Sequence, residues 1–78
     1  MWYVYILKSR VYKKSYVGST NDPQRRLTEH NSGKSVYTKR HKPWDILKIE
    51  NFDTYKEART RESFLKTGKG REELRKIF

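Results

Sequence analysis

Residues 2–18, WYVYILKSRVYKKSYVG, leave little freedom of local structure. Two runs rich in aromatic and β-branched side chains, 2–7 and Ser15–Thr20, suit a pleated, half-buried surface, and a basic loop joins them. The stretch predicts two paired strands. Its tyrosine content is unusual, with Tyr3, Tyr5, Tyr12 and Tyr16 close together. A phenol has an apolar body and a polar tip that seeks a partner when buried. Four of them on one hairpin predict a polar, aromatic-lined surface beside the core.

The elements that follow are marked by their ends. Asp22 caps and Pro23 starts a first helix, which runs to Asn31 and stops at Ser32-Gly33. Its one strong hydrophobe is Leu27, so it meets the sheet by a narrow stripe, and Arg26 and His30 share one of its faces. Residues 34–42, KSVYTKRHK, read as a loop, after which Pro43 introduces a third strand over 44–51 with Ile46, Leu47 and Ile49 in buried contacts. Thr54 and Glu57 form a capping box for a helix that continues to Lys66. Gly68 and Gly70 end it, and 71–78 predict a last short helix packing through Leu74, Ile77 and Phe78. The order β-β-α-β-α-α predicts one α+β domain over residues 1–78, a small three-stranded, mainly antiparallel sheet flanked by three helices.

One position breaks the apolar pattern. Ala58, Glu62 and Leu65 fall at i, i+4 and i+7, so Glu62 lies on the apolar stripe of its helix. A carboxylate facing the core is costly unless it is paired or holds a cation. A salt bridge to a nearby arginine is the structural alternative.

Net charge of +10 on 78 residues points to a polyanionic partner, nucleic acid before membrane or acidic protein. Apolar residues are only 33% of the chain, but eleven aromatics predict a folded, thin-cored domain with a net stability of about 5 kcal/mol. Basic side chains interleaved with an aromatic suit phosphates and a stacked base or sugar. The candidates are Lys13 and Lys14 in the hairpin loop, Arg25 on the first helix, and Lys34, Tyr37, Lys39, Arg40 and Lys42 beyond it. His41 reads as an ordinary loop residue. With no cysteine there is neither a disulfide framework nor a thiolate metal site. No apolar run reaches the ~18 residues of a spanning helix, and no signal peptide is legible. A cytoplasmic protein without membrane attachment is the expectation.

The triplets Tyr3-Val4-Tyr5 and Tyr16-Val17-Gly18, ten residues apart, resemble the two signature triplets of the GIY-YIG nuclease family. Tyr3 stands where that pattern has glycine. Arg26, ten residues after Tyr16, is similar to the family's helical arginine, His30 to the histidine of many members, and Glu62 to its single metal-binding glutamate. An amide that some members carry about a dozen residues later has no counterpart near Leu74. Short length and basicity look most like the small stand-alone bacterial members.

What the resemblance implies is a DNA endonuclease, with DNA repair or recombination as its setting. One Mg²⁺ (or Mn²⁺) would sit on Glu62, a single carboxylate being enough for an ion that keeps its waters. Arg26 would grip the non-bridging oxygens. Tyr16 would activate the water, its phenolate favoured by surrounding cations, while Tyr5 and His30 position the water or relay the proton. The alternative is a non-catalytic module that binds DNA or RNA with the same fold. A third reading is a basic surface that docks an acidic protein. DNA, RNA or an unidentified targeting protein are the expected partners.

Overall fold

The computed structural model describes residues 1–77. Strand β1 (Trp2–Ser9) lies between β2 (Ser15–Thr20) and β3 (Trp44–Phe52), antiparallel to both. Helices α1 (Pro23–Asn31) and α2 (Val36–Arg40) separate β2 from β3, and α3 (Tyr55–Leu65) and α4 (Gly68–Arg75) follow. Each buried face of β1 builds its own cluster. Val4 and Ile6 pack with Val17, Ala58, Leu65 and Leu74, while Tyr5 and Leu7 pack with Trp44 and, partly buried, Tyr16, Leu27 and Ile46. A central strand covered on both sides explains the unbroken apolar run at 4–7, where a one-sided strand would alternate.

A bulge opposite Ile6 and Leu7 inserts Leu47 into β3. Leu7 therefore opposes Ile46, and Leu47 joins the cluster on the α3 side. A one-residue insertion of this kind changes which side chain reaches which face. It leaves Ile49 40% exposed, against the buried contact expected for it.

The caps follow the sequence. Asp22 accepts from the Arg25 N–H at 3.1 Å, and Thr54 accepts from the Glu57 N–H at 3.2 Å. Gly33 leaves α1 with φ of 87°, the left-handed conformation that favours glycine.

Two segments correct the sequence reading. Residues 36–40, expected as loop, form α2. Its β-branched and aromatic residues give it little helix propensity. What holds it is tertiary: Thr38 is fully buried, and its carbonyl accepts from the Trp44 indole N–H at 2.9 Å. The helix expected from residue 71 begins at Gly68 instead. Thr67 caps it, accepting from Gly70 N–H at 3.2 Å, so these glycines open a helix rather than end one. Leu74 packs in the core as expected, Ile77 is 37% exposed, and Phe78 lies outside the described residues. Among the described residues no helix is long and apolar enough to cross a membrane.

Candidate active site

Tyr5 and Gly18 are register partners on β1 and β2. The Tyr5 ring crosses directly over Gly18, so a Cβ there would lie 2.5 Å from its hydroxyl oxygen. Glycine is needed at Gly18 for this close approach. It lets the phenol cross towards the open edge of β2, where it meets α1. There the Tyr5 hydroxyl lies 3.0 Å from His30 Nε2, and Arg26 Nε donates to it at 3.4 Å. His30 Nδ1 lies 2.9 Å from Thr38 Oγ1.

Donor counting orients this chain. With Arg26 donating to the Tyr5 oxygen, the single phenolic proton points at His30 Nε2. Neutral His30 then carries its proton on Nδ1 and donates to Thr38. Protonation states fit that direction. Burial, with the Arg26 charge adding to it, pushes the His30 pKa down. Burial also pushes Tyr5 up to about 12, against the Arg26 hydrogen bond. A neutral phenol and a neutral imidazole are thus joined by a hydrogen bond rather than as a salt pair.

Tyr16 lies two residues along β2 from Gly18, opposite Leu7. Its ring is 4.7 Å from that of His30 and 6.1 Å from that of Tyr5. Among the described residues its hydroxyl has no hydrogen-bond partner. Arg26 NH1 is held by Glu29 at 2.7 Å, which leaves its NH2 group for a ligand. So α1 is anchored by His30 as well as Leu27, and His30 is a buried residue rather than a surface one.

Glu62 approaches from the other side of the sheet, on α3, and is 6% exposed. Its Oε1 accepts from the Ser19 hydroxyl at 2.5 Å and from Arg59 at 3.2 Å, and its Oε2 accepts from Lys66 at 2.6 Å. Burial alone would raise its pKa, but the hydrogen bonds from Lys66 and Ser19 and the Arg59 charge outweigh that and hold it below the usual carboxylate range. Its charge is one of the influences that raise Tyr5, so the two halves of the site feel each other. Arg61 fixes α3 in place by gripping Glu50 on β3, with Nε donating to Oε1 at 2.8 Å and NH2 to Oε2 at 3.1 Å, and by reaching Glu73 on α4.

Tyr5, Tyr16, Arg26 and His30 are thus brought together, and Glu62 is brought to the same edge strand through Ser19. Lys13, Lys14 and Tyr37 line a groove that also contains Tyr16. Arg25, Lys34, Lys39, Arg40 and Lys42 are exposed but lie outside it. Sequence reading missed Thr38, Ser19 and Lys66, whereas Arg59 supplies the arginine salt bridge that was the structural alternative for Glu62. Lys66 was within reach, being four residues after Glu62 on one helix face. Thr38 carried no signal, because its role depends on how α2 folds back.

The His30 shift gives a stability prediction. A buried neutral histidine has a folded pKa below its unfolded value of about 6.5. Its contribution is therefore full above pH 6.5 and is lost as pH falls from there towards the folded pKa. The melting temperature of the wild-type chain is expected to decline between about pH 6.5 and pH 5, before the carboxylates titrate. His30→Gln should flatten that interval, and equal slopes in the two chains would contradict the buried neutral imidazole.

A three-stranded antiparallel sheet with tyrosines from both hairpin strands, an arginine and histidine on α1 and a buried glutamate on α3 defines a nuclease-like α+β domain. The GIY-YIG catalytic domain matches residues 1–76, and the chain belongs to that family. Its relatives include small bacterial proteins named UPF0213. That of Bacillus pumilus is 42% identical over 66 residues, spanning 83% of this chain and 66% of its own. That of Staphylococcus saprophyticus is 36% identical over 76 residues, spanning 96% and 92%. The solution NMR structure of the UPF0213 protein from Bacillus halodurans superposes with a TM-score of 0.57 at 32% identity, covering 99% of this chain and 85% of that one.

Proposed function

We propose that this chain is a divalent-metal-dependent DNA endonuclease that hydrolyses phosphodiester bonds, with DNA repair or recombination as its setting. The observation that carries this reading is the hydrogen-bonded run from Arg26 through Tyr5 and His30 to Thr38, set against a Tyr16 whose hydroxyl is free for a ligand. The family's domains act on DNA, which agrees with the charge.

Tyr16, acting as its phenolate with its own proton already given to solvent, takes the proton of the attacking water. Arg26 turns its unengaged NH2 towards a non-bridging oxygen, where a fixed cation is worth most as charge builds. Tyr5 holds Arg26 and His30 in register, and neutral His30 presents its Nε2 lone pair to the Tyr5 hydroxyl as the next station for a proton.

The donor set also bears on the metal. Among the described residues there is no cluster of three or more His, Cys, Asp or Glu, so a cage of protein ligands is absent. A single ionised carboxylate does fit a hard cation that keeps most of its water. Oε1 already accepts two hydrogen bonds, so Oε2 is the oxygen available, in the place of Lys66. Bound there, Mg²⁺ or Mn²⁺ would act as a Lewis acid for the leaving oxygen. Lys66→Met is accordingly expected to tighten Mn²⁺ binding several-fold, as followed by the spin resonance of the free ion, and Glu62→Gln to abolish it. Unchanged affinity in the lysine variant would remove Oε2 as the anchor.

The filled hydrogen-bond shell of Glu62 favours a second reading, a module that binds nucleic acid without cutting it. Supercoiled plasmid and branched and single-stranded DNA, incubated with Mg²⁺ or Mn²⁺ and with chelator, decide between them. Cleavage that needs metal supports the endonuclease. Binding without cleavage on the whole panel overturns it.

A further inference from the structure

The carboxylates and basic residues of this chain are unevenly shared. Glu29, Asp45, Glu50, Glu62 and Glu73 engage Arg26, Arg10, Lys48, Arg59, Arg61 and Lys66. Lys13, Lys14, Arg71 and Arg75 have no ion-pair partner among the described residues. These four, two from the hairpin loop and two from α4, line one groove of about 660 Å³ along the β2 side of the sheet. Val17, Leu65 and Leu74 contribute apolar lining, and Lys66 and the rings of Tyr16 and Tyr37 also face it. Arg71 and Arg75 are four residues apart on α4, on either side of the buried Leu74, so one helix face presents both.

Unpaired cations converging from two separate elements repel one another in the empty chain. The arrangement is relieved by a partner with regularly spaced negative charge, and forked guanidinium groups suit phosphate oxygens. We propose that this groove is a binding site for the phosphodiester backbone of DNA, gripped by Lys13, Lys14, Arg71 and Arg75, which leads the strand past Tyr16. The main basic surface is then the β2–α4 groove, not the 34–42 segment to which the charge pattern first pointed. This rests on the reading of DNA as substrate but not on cleavage. It assigns α4 a binding role in addition to its packing.

The test is DNA affinity in chelator, where no cutting occurs, measured by fluorescence anisotropy of a labelled duplex across a salt series. Each phosphate contact contributes about 0.9 to the slope of log affinity against log salt. Replacing Arg71 and Arg75 together by glutamine should lower the slope by about 2. Replacing both by lysine should restore most of it. Replacing Lys39 and Arg40 by glutamine removes the same charge outside the groove and should change the slope by much less than 1. Circular dichroism checks that each variant folds. An unchanged slope in the arginine-to-glutamine variant, or equal losses in the two glutamine pairs, overturns the proposal. Groove-dependent binding by a chain that never cuts DNA would leave the proposal standing and defeat only the endonuclease reading.

Discussion

Replacing Glu62 by glutamine is expected to lower metal-dependent plasmid nicking by about a thousand-fold, while DNA binding in chelator stays within a few-fold of wild type. Lewis-acid stabilisation of a leaving oxygen is worth several kcal/mol, and about 4 kcal/mol corresponds to about three decades of rate. Glutamine keeps the volume and can still accept from Ser19, so the packing of α3 survives. Arg59 and Lys66, each about half exposed, would turn to water without a large penalty. The loss should therefore appear in the cleavage step and not in the melting temperature. Nicking that persists in Glu62→Gln with the same sensitivity to chelator would sink the assignment of this residue as metal anchor.

Gly70→Ala is expected to be the most damaging single-methyl change in the chain. A Cβ at this position would lie 2.1 Å from the carbonyl oxygen of Phe64 and 2.4 Å from the Cα of Leu65. Both obstacles are backbone atoms of the last turn of α3, so no rotamer change relieves them. α4 would have to back away, taking Leu74 out of its contact with Leu65. Overpacking of this kind costs about 3 kcal/mol. For a domain of this size that is a fall of about 12–24 °C in melting temperature. Gly68 is the internal control, because a Cβ there meets nothing within 4 Å. Gly68→Ala should be neutral or slightly stabilising, since alanine restricts the unfolded chain. Similar melting temperatures for the two variants would show that α3 and α4 are not packed as described.

The same glycine shows how far a sequence can be read. As letters, Gly68 and Gly70 look like a helix terminator, because glycine commonly fills the left-handed position at a C-terminus. Their neighbour Thr67 makes them a helix start, and Gly70 is small because two helices touch there. Close approach between elements leaves no periodic trace in the chain. Residues 34–42 misled for a similar reason: composition marked them as a basic loop, whereas Thr38 is drawn in by His30 and Trp44. Glu62 is the opposite case, since a carboxylate on an apolar stripe is a conflict visible in the heptad-like spacing alone. His30 lay between the two. Its position on the Arg26 face was legible, but its burial was not, because a helix with one leucine does not reveal which polar residue fills the remaining gap.

The sequence by itself determined the hairpin, the capped ends of α1 and α3, the fold class and the anomaly of Glu62 on an apolar stripe. Each follows from information local to a few positions: alternation, a cap, a spacing of four. Only the tertiary structure decided which hydrogen bonds the candidate site residues make, that Lys66 occupies the open oxygen of Glu62, and that the unpaired cations of the hairpin loop and α4 share one groove. Those properties depend on residues far apart in the chain meeting at the open edge of β2. The register of three strands and the packing of α3 against α4 bring them there.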